Sequence, residues 1–396
     1  MKRILIVSHA MEIGGAESAL LGLLECIDTE QYGVDLFLLR HTGEFMKFIP
    51  PNIHLLPEIP EYTVLARPMS KTIKEGHLGL TLARLWGKWK AKRYIHKHKF
   101  SQDNGVELEY SHKYTVQFMP EIQPGVVYDA AISFLTPHYF VADKVQAKKK
   151  LAWIHTDYSG IQIDINSERN MWGKYDHIVA ISERVSKSFT SKFPELEHNL
   201  VFIENILPQN LIYQQAEEQI LDFPKDKGIS LLSIGRFSYA KNFENIPEIC
   251  RYIVQQGIDV QWYLIGYGNS ETLIRKKIKE MNMEKHVHIL GKKTNPYPYI
   301  KQCHIYVQPS RYEGKCVAVR EAQFFHKPVV ITSYATAASQ VGNGIDGIIV
   351  PMDNKGCAEM LVQFIKNKEL QEKLMENTKS KDYTNSAEIQ ELYEVL

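Results

Sequence analysis

HIYVQPSRYEGKCVAVREAQFFHKPVVIT, residues 304–332, is the stretch whose reading decides the fold. HIYVQPS (304–310) is rich in apolar, β-branched and aromatic residues, and Pro309 and Ser310 end the run. VAVREAQFF then places apolar residues at helical spacing, which predicts a helix over 317–327. PVVIT (328–332) is a second short apolar run. Strand, helix and strand in so short a span make a βαβ unit, whose two strands run parallel.

The rhythm extends in both directions. In the first half, RILIVSH (3–9), VDLFLLR (34–40), YDAAISFL (128–135), KLAWIH (150–155), HIVAIS (177–182) and NLVFIEN (199–205) read as strands. Residues 206–228, with Pro208 and Pro224, read as a connection. Beyond it follow ISLLSIGRF (229–237), VQWYLIGYG (260–268), VHILG (287–291), the two strands of 304–332, and GIIVP (347–351), with helical patterns at 242–256, 270–281 and 355–366. Several strands are apolar throughout, as strands buried on both faces must be. The expectation is an α/β protein of two Rossmann-like domains, residues 1–205 and 206–382, with a cleft between them. Ligands of such sheets sit at the carboxyl ends of the strands.

Composition narrows the class. A chain of 396 residues exceeds one ordinary core. A formal net charge of +1 gives no global basic field, so no nucleic-acid partner is expected. Five cysteines, an odd number without a CxxC pair, argue against a disulfide framework or zinc site and suit a reducing cytoplasm. No apolar run approaches the ~20 residues of a membrane helix. RILIVSHAMEIGGAESALLGLL is interrupted by Glu12 and Glu17, so it reads as strand, loop and helix rather than a leader. A cytoplasmic protein is expected.

Residues 84–99 hold seven Lys or Arg and no acid, and Leu78, Leu82, Leu85, Trp86 and Trp89 recur at helical spacing. Two readings stand for this basic amphipathic helix. It is an ordinary domain helix with a solvated basic face, or a surface helix that meets anionic lipid headgroups through Lys/Arg and Trp, joined by Lys148–Lys150 if they lie nearby.

Four places carry candidate chemistry. Gly14 and Gly15 follow the first strand and precede a helix, where unpaired N–H groups favour an anion. Neither this loop nor GYGNSE (266–271) has GxGxxG spacing, which disfavours a nicotinamide cofactor. Arg236 and Lys241, in SIGRFSYAKN, leave a strand end together and suit a diphosphate, unless both are merely solvated loop cations. His155 ends the strand KLAWI, placed either for substrate or for a hydrogen bond to Asp157. Glu313 falls in the loop after HIYVQPS and Glu321 on the helix beyond it. Carboxylates only accept hydrogen bonds, and sugar hydroxyls are natural donors to them. The amides of Lys315, Cys316 and Val317 would be unpaired donors at that helix start.

The order GGAE, WIHTD, SIGRFSYAKN, PSRYEGKCVAVREAQFFHKPVV and DGIIVP resembles retaining glycosyltransferase family 4, of GT-B fold, especially bacterial members that build capsule, exopolysaccharide or lipid-linked oligosaccharide. The resemblance implies that Glu313 contacts the donor sugar and Glu321 the ribose hydroxyls of a nucleotide. It places Arg236 and Lys241 on the leaving diphosphate, His155 on the donor sugar, Gly15 near the distal phosphate, Lys292 near the base, and Gly314, Lys315, Cys316 and Val317 along the donor. It implies a UDP-linked sugar, a saccharide or lipid-linked acceptor, no cofactor and, with no DxD signature here, no essential metal. Residues 383–396 resemble the helix that closes this fold by returning to the first domain. Lys315 and Cys316 depart from the family's usual aromatic or leucine and small residue after Glu-Gly. Tyr383 stands where a tryptophan is frequent. An epimerase acting on nucleotide sugars, or a glycan- or nucleotide-binding protein without turnover, would share the scaffold. The intact set Arg236, Lys241, Glu313 and Glu321 favours the transferase.

Overall fold

The structure is a computed structural model that describes residues 1–396 except 13, 64, 66, 68, 101–103, 136, 224–227 and 314. The chain divides into two compact units, Met1–Pro208 with Asn385–Leu396, and Gln209–Thr384.

In the first unit β1 (Lys2–Ser8), β2 (Tyr32–Leu38), β3 (His54–Leu55), β4 (Val127–Ser133), β5 (Gln146–Ile154), β6 (His177–Ala180) and β7 (Leu200–Phe202) form one sheet. Their order is β3-β2-β1-β4-β5-β6-β7, and every pairing is parallel. Ile4–Val7 of β1 and Leu151–Ile154 of β5 are buried, which is why these strands carry no polar alternation. The two-residue β3 was absent from the sequence reading, being too short to show a pattern.

The second unit repeats the plan with β8 (Ile229–Ile234), β9 (Val260–Ile265), β10 (Val287–Gly291), β11 (Ile305–Gln308), β12 (Val329–Thr332) and β13 (Ile348–Val350), ordered β10-β9-β8-β11-β12-β13 and all parallel. Ile246, Ile249 and Ile253 of helix Ile246–Gln255 and Leu361 and Ile365 of helix Asn354–Lys366 pack with Trp262, Leu264 and Val307 into one core. Each such side chain contributes about 1.5–3 kcal/mol by leaving water. Asp353 starts the later helix by accepting the Gly356 N–H at 2.8 Å. The strand order reverses between β8 and β11, which opens a crevice at their carboxyl ends.

The last helix, Ile389–Val395, packs on the first unit. Tyr393 stacks on Tyr32 at 5.0 Å, and its hydroxyl accepts the Asp28 N–H at 2.7 Å. The Glu388 carboxylate accepts the Glu204 N–H at 2.9 Å. Tyr383 stays in the second unit, donating to Asp346 at 2.9 Å.

Helix Leu78–His98 inverts the ordinary reading of its pattern. Its buried face begins with Leu80 and Thr81 and continues in small residues, Ala83, Gly87 and Ala91, one turn apart. A Cβ on Gly87 would lie 2.8 Å from the Tyr110 carbonyl, so glycine is what lets helix Val106–Thr115 approach this closely. The bulky stripe of Leu78, Leu82, Leu85, Trp86 and Trp89 faces outward, 47% to 66% exposed. An apolar stripe packed into a core with only the basic face solvated is therefore not what forms. Lys148 pairs with Asp129, while Lys149 and Lys150 donate to the Val395 and Ala142 carbonyls, so these three serve β5 and its neighbours.

Candidate active site

At the ends of β8 and β11 three of the expected residues of the second unit, Lys241, Glu313 and Cys316, come together. After β8 the chain runs through Gly235 and Arg236 into a short turn, Tyr239–Lys241. This loop rests on the one after β9. A Cβ on Gly266, at φ +153°, would lie 1.9 Å from the Gly235 carbonyl oxygen, so only glycine fits there. After β11, Ser310 and Glu313 turn back toward Lys241. Lys241 Nζ donates to Glu313 Oε1 at 2.6 Å, and Ser310 Oγ donates to the same oxygen at 2.6 Å. Side-chain exposure is 19% for Lys241 and 11% for Glu313, so this is a largely desolvated pair. Burial alone would lower the Lys241 ammonium, but Cys316 and Glu313 raise it above its ordinary value.

Residues to which the sequence reading gave no part in the site hold this pair in place. A buried relay runs from Tyr306 Oη to Gln308 Oε1 (2.8 Å), from Gln308 Nε2 to Ser310 Oγ (2.9 Å), and on to Glu313. Thr332 and Thr336 donate to the Ser310 and Glu313 carbonyls at 2.5 and 2.9 Å. Arg311 ties the two loops together. It donates to the Tyr239 carbonyl at 2.5 Å and Glu244 at 2.7 Å, and its guanidinium lies 4.1 Å from the Tyr239 ring centre. Ser310 and Arg311 adjoin the carboxylate motif, so a polar residue next to Pro309 was the available signal.

Arg236 is exposed and has no hydrogen-bond or ion-pair partner among the described residues, leaving its fork of donors unspent. Glu321, on helix Val317–Phe324, is 8% exposed. Burial pushes its carboxyl up to about 7, against the opposing pull of a Tyr297 hydrogen bond and the Arg320 charge. Cys316 caps the helix and is buried, whereas Lys315 and Val317 are exposed. The Cys316 N–H was expected to be an unpaired donor at the helix start, and it is not. It donates to Gln340 Oε1 at 3.0 Å, and Gln340 Nε2 returns a 2.5 Å bond to the Cys316 carbonyl. Gln340 lies 24 residues on, beyond any local pattern. Lys292 is exposed, its ammonium 5.3 Å from the Tyr267 ring centre. Gly314 lies outside the described residues.

Three expected residues belong to the first unit. Gly14 and Gly15 do open a helix, Gly15–Cys26, and nothing would obstruct a Cβ on Gly15. The amide end already faces a carboxylate of the chain itself: a Cβ on Gly14 would lie 2.2 Å from Glu17 Oε2. Burial raises the Glu17 carboxyl above its usual range. His155 follows β5, and Nε2 is buried without a partner. Burial lowers the imidazole to about 4, so it is neutral. Asp157 does not satisfy it; that carboxylate pairs with Arg184 at 2.8 Å and accepts the Ser159 N–H at 2.9 Å.

Two doubly wound parallel sheets, the second with a buried Lys–Glu pair and an unspent arginine at its switch point, define a GT-B α/β protein. Residues 214–381, which fall within the second unit, match the family Glycosyl transferases group 1. The chain is 30% identical over 169 residues to the N-acetylgalactosamine-N,N'-diacetylbacillosaminyl-diphospho-undecaprenol 4-alpha-N-acetylgalactosaminyltransferase of Campylobacter jejuni, covering 42% of this chain and 43% of that one. It is 24% identical over 220 residues to the amylovoran biosynthesis glycosyltransferase AmsD of Erwinia amylovora, covering 55% and 59%. The chain thus spans about half the length of the curated relatives it matches. The crystal structure of Anabaena Alr3699/HepE in complex with UDP superposes over 100% of both chains with a TM-score of 0.62 at 14% identity, a likeness of fold.

Proposed function

We propose that the protein is a retaining, metal-independent glycosyltransferase. It moves a hexosyl group from a UDP-linked sugar to a hydroxyl of a saccharide or lipid-linked saccharide, in bacterial capsule or related surface-glycan synthesis. The observation that carries this is the Lys241–Glu313 pair at the β8/β11 switch point, with Arg236 on the loop that carries Lys241 and Glu321 on the helix that follows Glu313, in residues that match a group 1 domain. The named activities of the Campylobacter and Erwinia relatives and the UDP bound to HepE support the substrate class.

The barrier lies in breaking the bond between the anomeric carbon and the phosphate oxygen. Charge develops on the departing diphosphate, and Arg236 with Lys241 would neutralise it without a metal ion. Lys241, held by a Glu313 carboxylate that Ser310 fixes in turn, is preorganised; Arg236 has donors to spare. Glu313 Oε1 is engaged by protein donors, so its second oxygen is the one offered to a sugar hydroxyl. Glu313 then orients the sugar rather than attacking it, and the departing phosphate takes the acceptor proton on the same face. That route gives retention with no protein nucleophile.

Titration calorimetry with UDP, GDP and ADP in EDTA is the direct test. UDP should bind saturably without metal, and Arg236→Ala should weaken it about 10- to 100-fold, the worth of a charge-assisted contact of about 1.5–3 kcal/mol. Binding of none of the three would overturn the reading.

The outward stripe of helix Leu78–His98 adds a proposed site of action, the cytoplasmic face of the membrane. Trp86 and Trp89 stack at 5.0 Å with the Lys90 ammonium 5.2 and 5.7 Å from their ring centres. Apolar rings flanked by cations complement the anionic headgroup layer. No helix among the described residues is long and apolar enough to cross a membrane, so attachment would be peripheral. The protein should float with phosphatidylglycerol-containing liposomes and not with neutral ones. A Lys88/Lys90/Lys92→Glu variant should lose most of that binding. Equal recovery of both proteins would exclude the helix as the anchor.

A further inference from the structure

The second unit carries a group of cations that the donor chemistry leaves unused, at the amino ends of its strands. β11 and β12 pair with Tyr306 opposite Val329, and the Tyr306 N–H donates to the Pro328 carbonyl at 2.9 Å. Two residues back along each strand stand His304 and Lys327, so the parallel register sets them side by side. On its other side His304 is fixed to the start of β8. Its N–H donates to the Ser230 carbonyl at 3.0 Å, and the Ser230 N–H donates to His304 Nδ1 at 3.0 Å. With Nδ1 accepting, the neutral ring carries its proton on Nε2, a donor without a partner among the described residues.

Lys327 is half-buried, and its ammonium has no hydrogen-bond or ion-pair partner among the described residues. Two groups bear on it, Cys303 and Lys301. Cys303 is no counter-ion, because burial pushes its thiol up to about 12, and Lys301 is a like charge already paired with Glu217. Lys368 is exposed at the first position of helix Lys368–Lys379 and meets the neutral Gln371 amide oxygen at 3.3 Å. Burial, then the charges of Lys327 and Lys368, hold the His304 imidazole below its ordinary value, which places both ammoniums near the ring.

A half-buried ammonium with no counter-charge is costly, and like charges gathered around it add repulsion. An anion relieves both. The three side chains offer donors and no acceptor, which calls for a ligand made of acceptor oxygens. A phosphate group has three such oxygens and about −1.5 to −2 charge at neutral pH, a closer match to this much positive charge than a carboxylate. The amino end of helix Lys368–Lys379 adds to the same potential.

We propose that His304, Lys327 and Lys368 bind a phosphate group, at the end of the second sheet opposite the Lys241–Glu313 pair. The proposal does not depend on the transferase reading. The phosphate comes either on a small soluble molecule or on a lipid headgroup, and the contact chemistry is the same.

The His304 ring is the local reporter. Its titration would be followed by NMR in the histidine-labelled full chain, assigned through His304→Gln, in sodium chloride and in sodium phosphate of equal ionic strength. Phosphate should act saturably and raise the His304 pKa by about one unit, because a bound anion favours the imidazolium. Lys327→Met keeps the side-chain volume and removes an unpaired charge, so it should not lower the melting temperature. It should raise the His304 pKa in chloride and weaken the phosphate response about tenfold or more, the worth of one charge-assisted contact. Lys368→Gln, at an exposed position, should weaken the response without touching the core. Arg236→Ala should leave it intact, which tells failure of the donor site from failure of this one. Short-chain phosphatidic acid is the second probe. An equal response to both probes assigns the site to soluble phosphates, and a response at about tenfold lower lipid concentration assigns it to headgroups. A His304 titration identical in chloride, phosphate and phosphatidic acid would overturn the proposal. So would a phosphate response that neither lysine variant weakens.

Discussion

Lys241→Ala should abolish sugar transfer and destabilise the second unit by about 3 kcal/mol, the cost of leaving a buried partner charge unpaired. The two effects share one cause, since the same ammonium pairs with Glu313 and is proposed to receive the leaving diphosphate. Thermal melts and initial rates separate them. Lys241→Met/Glu313→Gln removes both charges, and replacing a buried pair by groups of similar volume is often close to neutral in stability. The double variant should therefore melt near the wild type yet transfer sugar at least a thousandfold more slowly. Glu313→Gln alone should keep UDP affinity and lose rate, because the proposed work of Glu313 is on the sugar and not on the nucleotide. A double variant that regained activity with stability would reduce Lys241 to a structural ion pair and leave Arg236 alone with the diphosphate.

The strands were legible because parallel strands covered on both faces can be written only in apolar residues, as in Ile4–Val7 and Trp262–Ile265. The loops were legible where function keeps chemistry at strand ends. Arg236, Lys241 and Glu313 stand beside β8 and β11, whose adjacency follows from the doubly wound order. What pairing alone decides was not legible. Cys316 meets Gln340 across a fold-back, and Glu109 meets Tyr139 and Ser167 across separations of 30 and 58 residues. Helix Leu78–His98 shows why two readings stood open. Its stripe of Leu and Trp was legible, but which stripe the protein buries was set by Ala83, Gly87 and Ala91, whose small size admits the neighbouring helix. Attention to the smallest residues would have favoured the reading in which the Trp stripe lies at the surface.

Glu321 supplies the second large expectation, in which stability and binding run in opposite directions with pH. Burial lifts its carboxyl to about 7 in the folded chain, against about 4.3 for an unhindered glutamate. Below the lower value both states are protonated and the residue costs nothing. Between the two values the folded chain keeps a proton that the unfolded chain has lost. Stability therefore falls as pH rises across this window and is flat above it, with a total loss of about 4 kcal/mol. Glu321→Gln should abolish that loss, so the variant should melt well above the wild type at pH 8 and with it near pH 4.5. Donor binding should show the reverse trend. Ribose hydroxyls donate to an ionised carboxylate, and a group of pKa about 7 is about one-tenth ionised at pH 6 and nine-tenths at pH 8. UDP-glucose, whose diphosphate does not titrate in this range, should bind about tenfold more tightly at pH 8 than at pH 6. Glu321→Gln should flatten the profile and bind more weakly at pH 8 despite its greater stability. Carrying a buried carboxylate that weakens the fold at working pH makes physical sense only if a ligand recovers the loss. An affinity that is flat with pH in the wild type, or equally steep in the variant, would leave Glu321 as a buried acid with no ligand to serve.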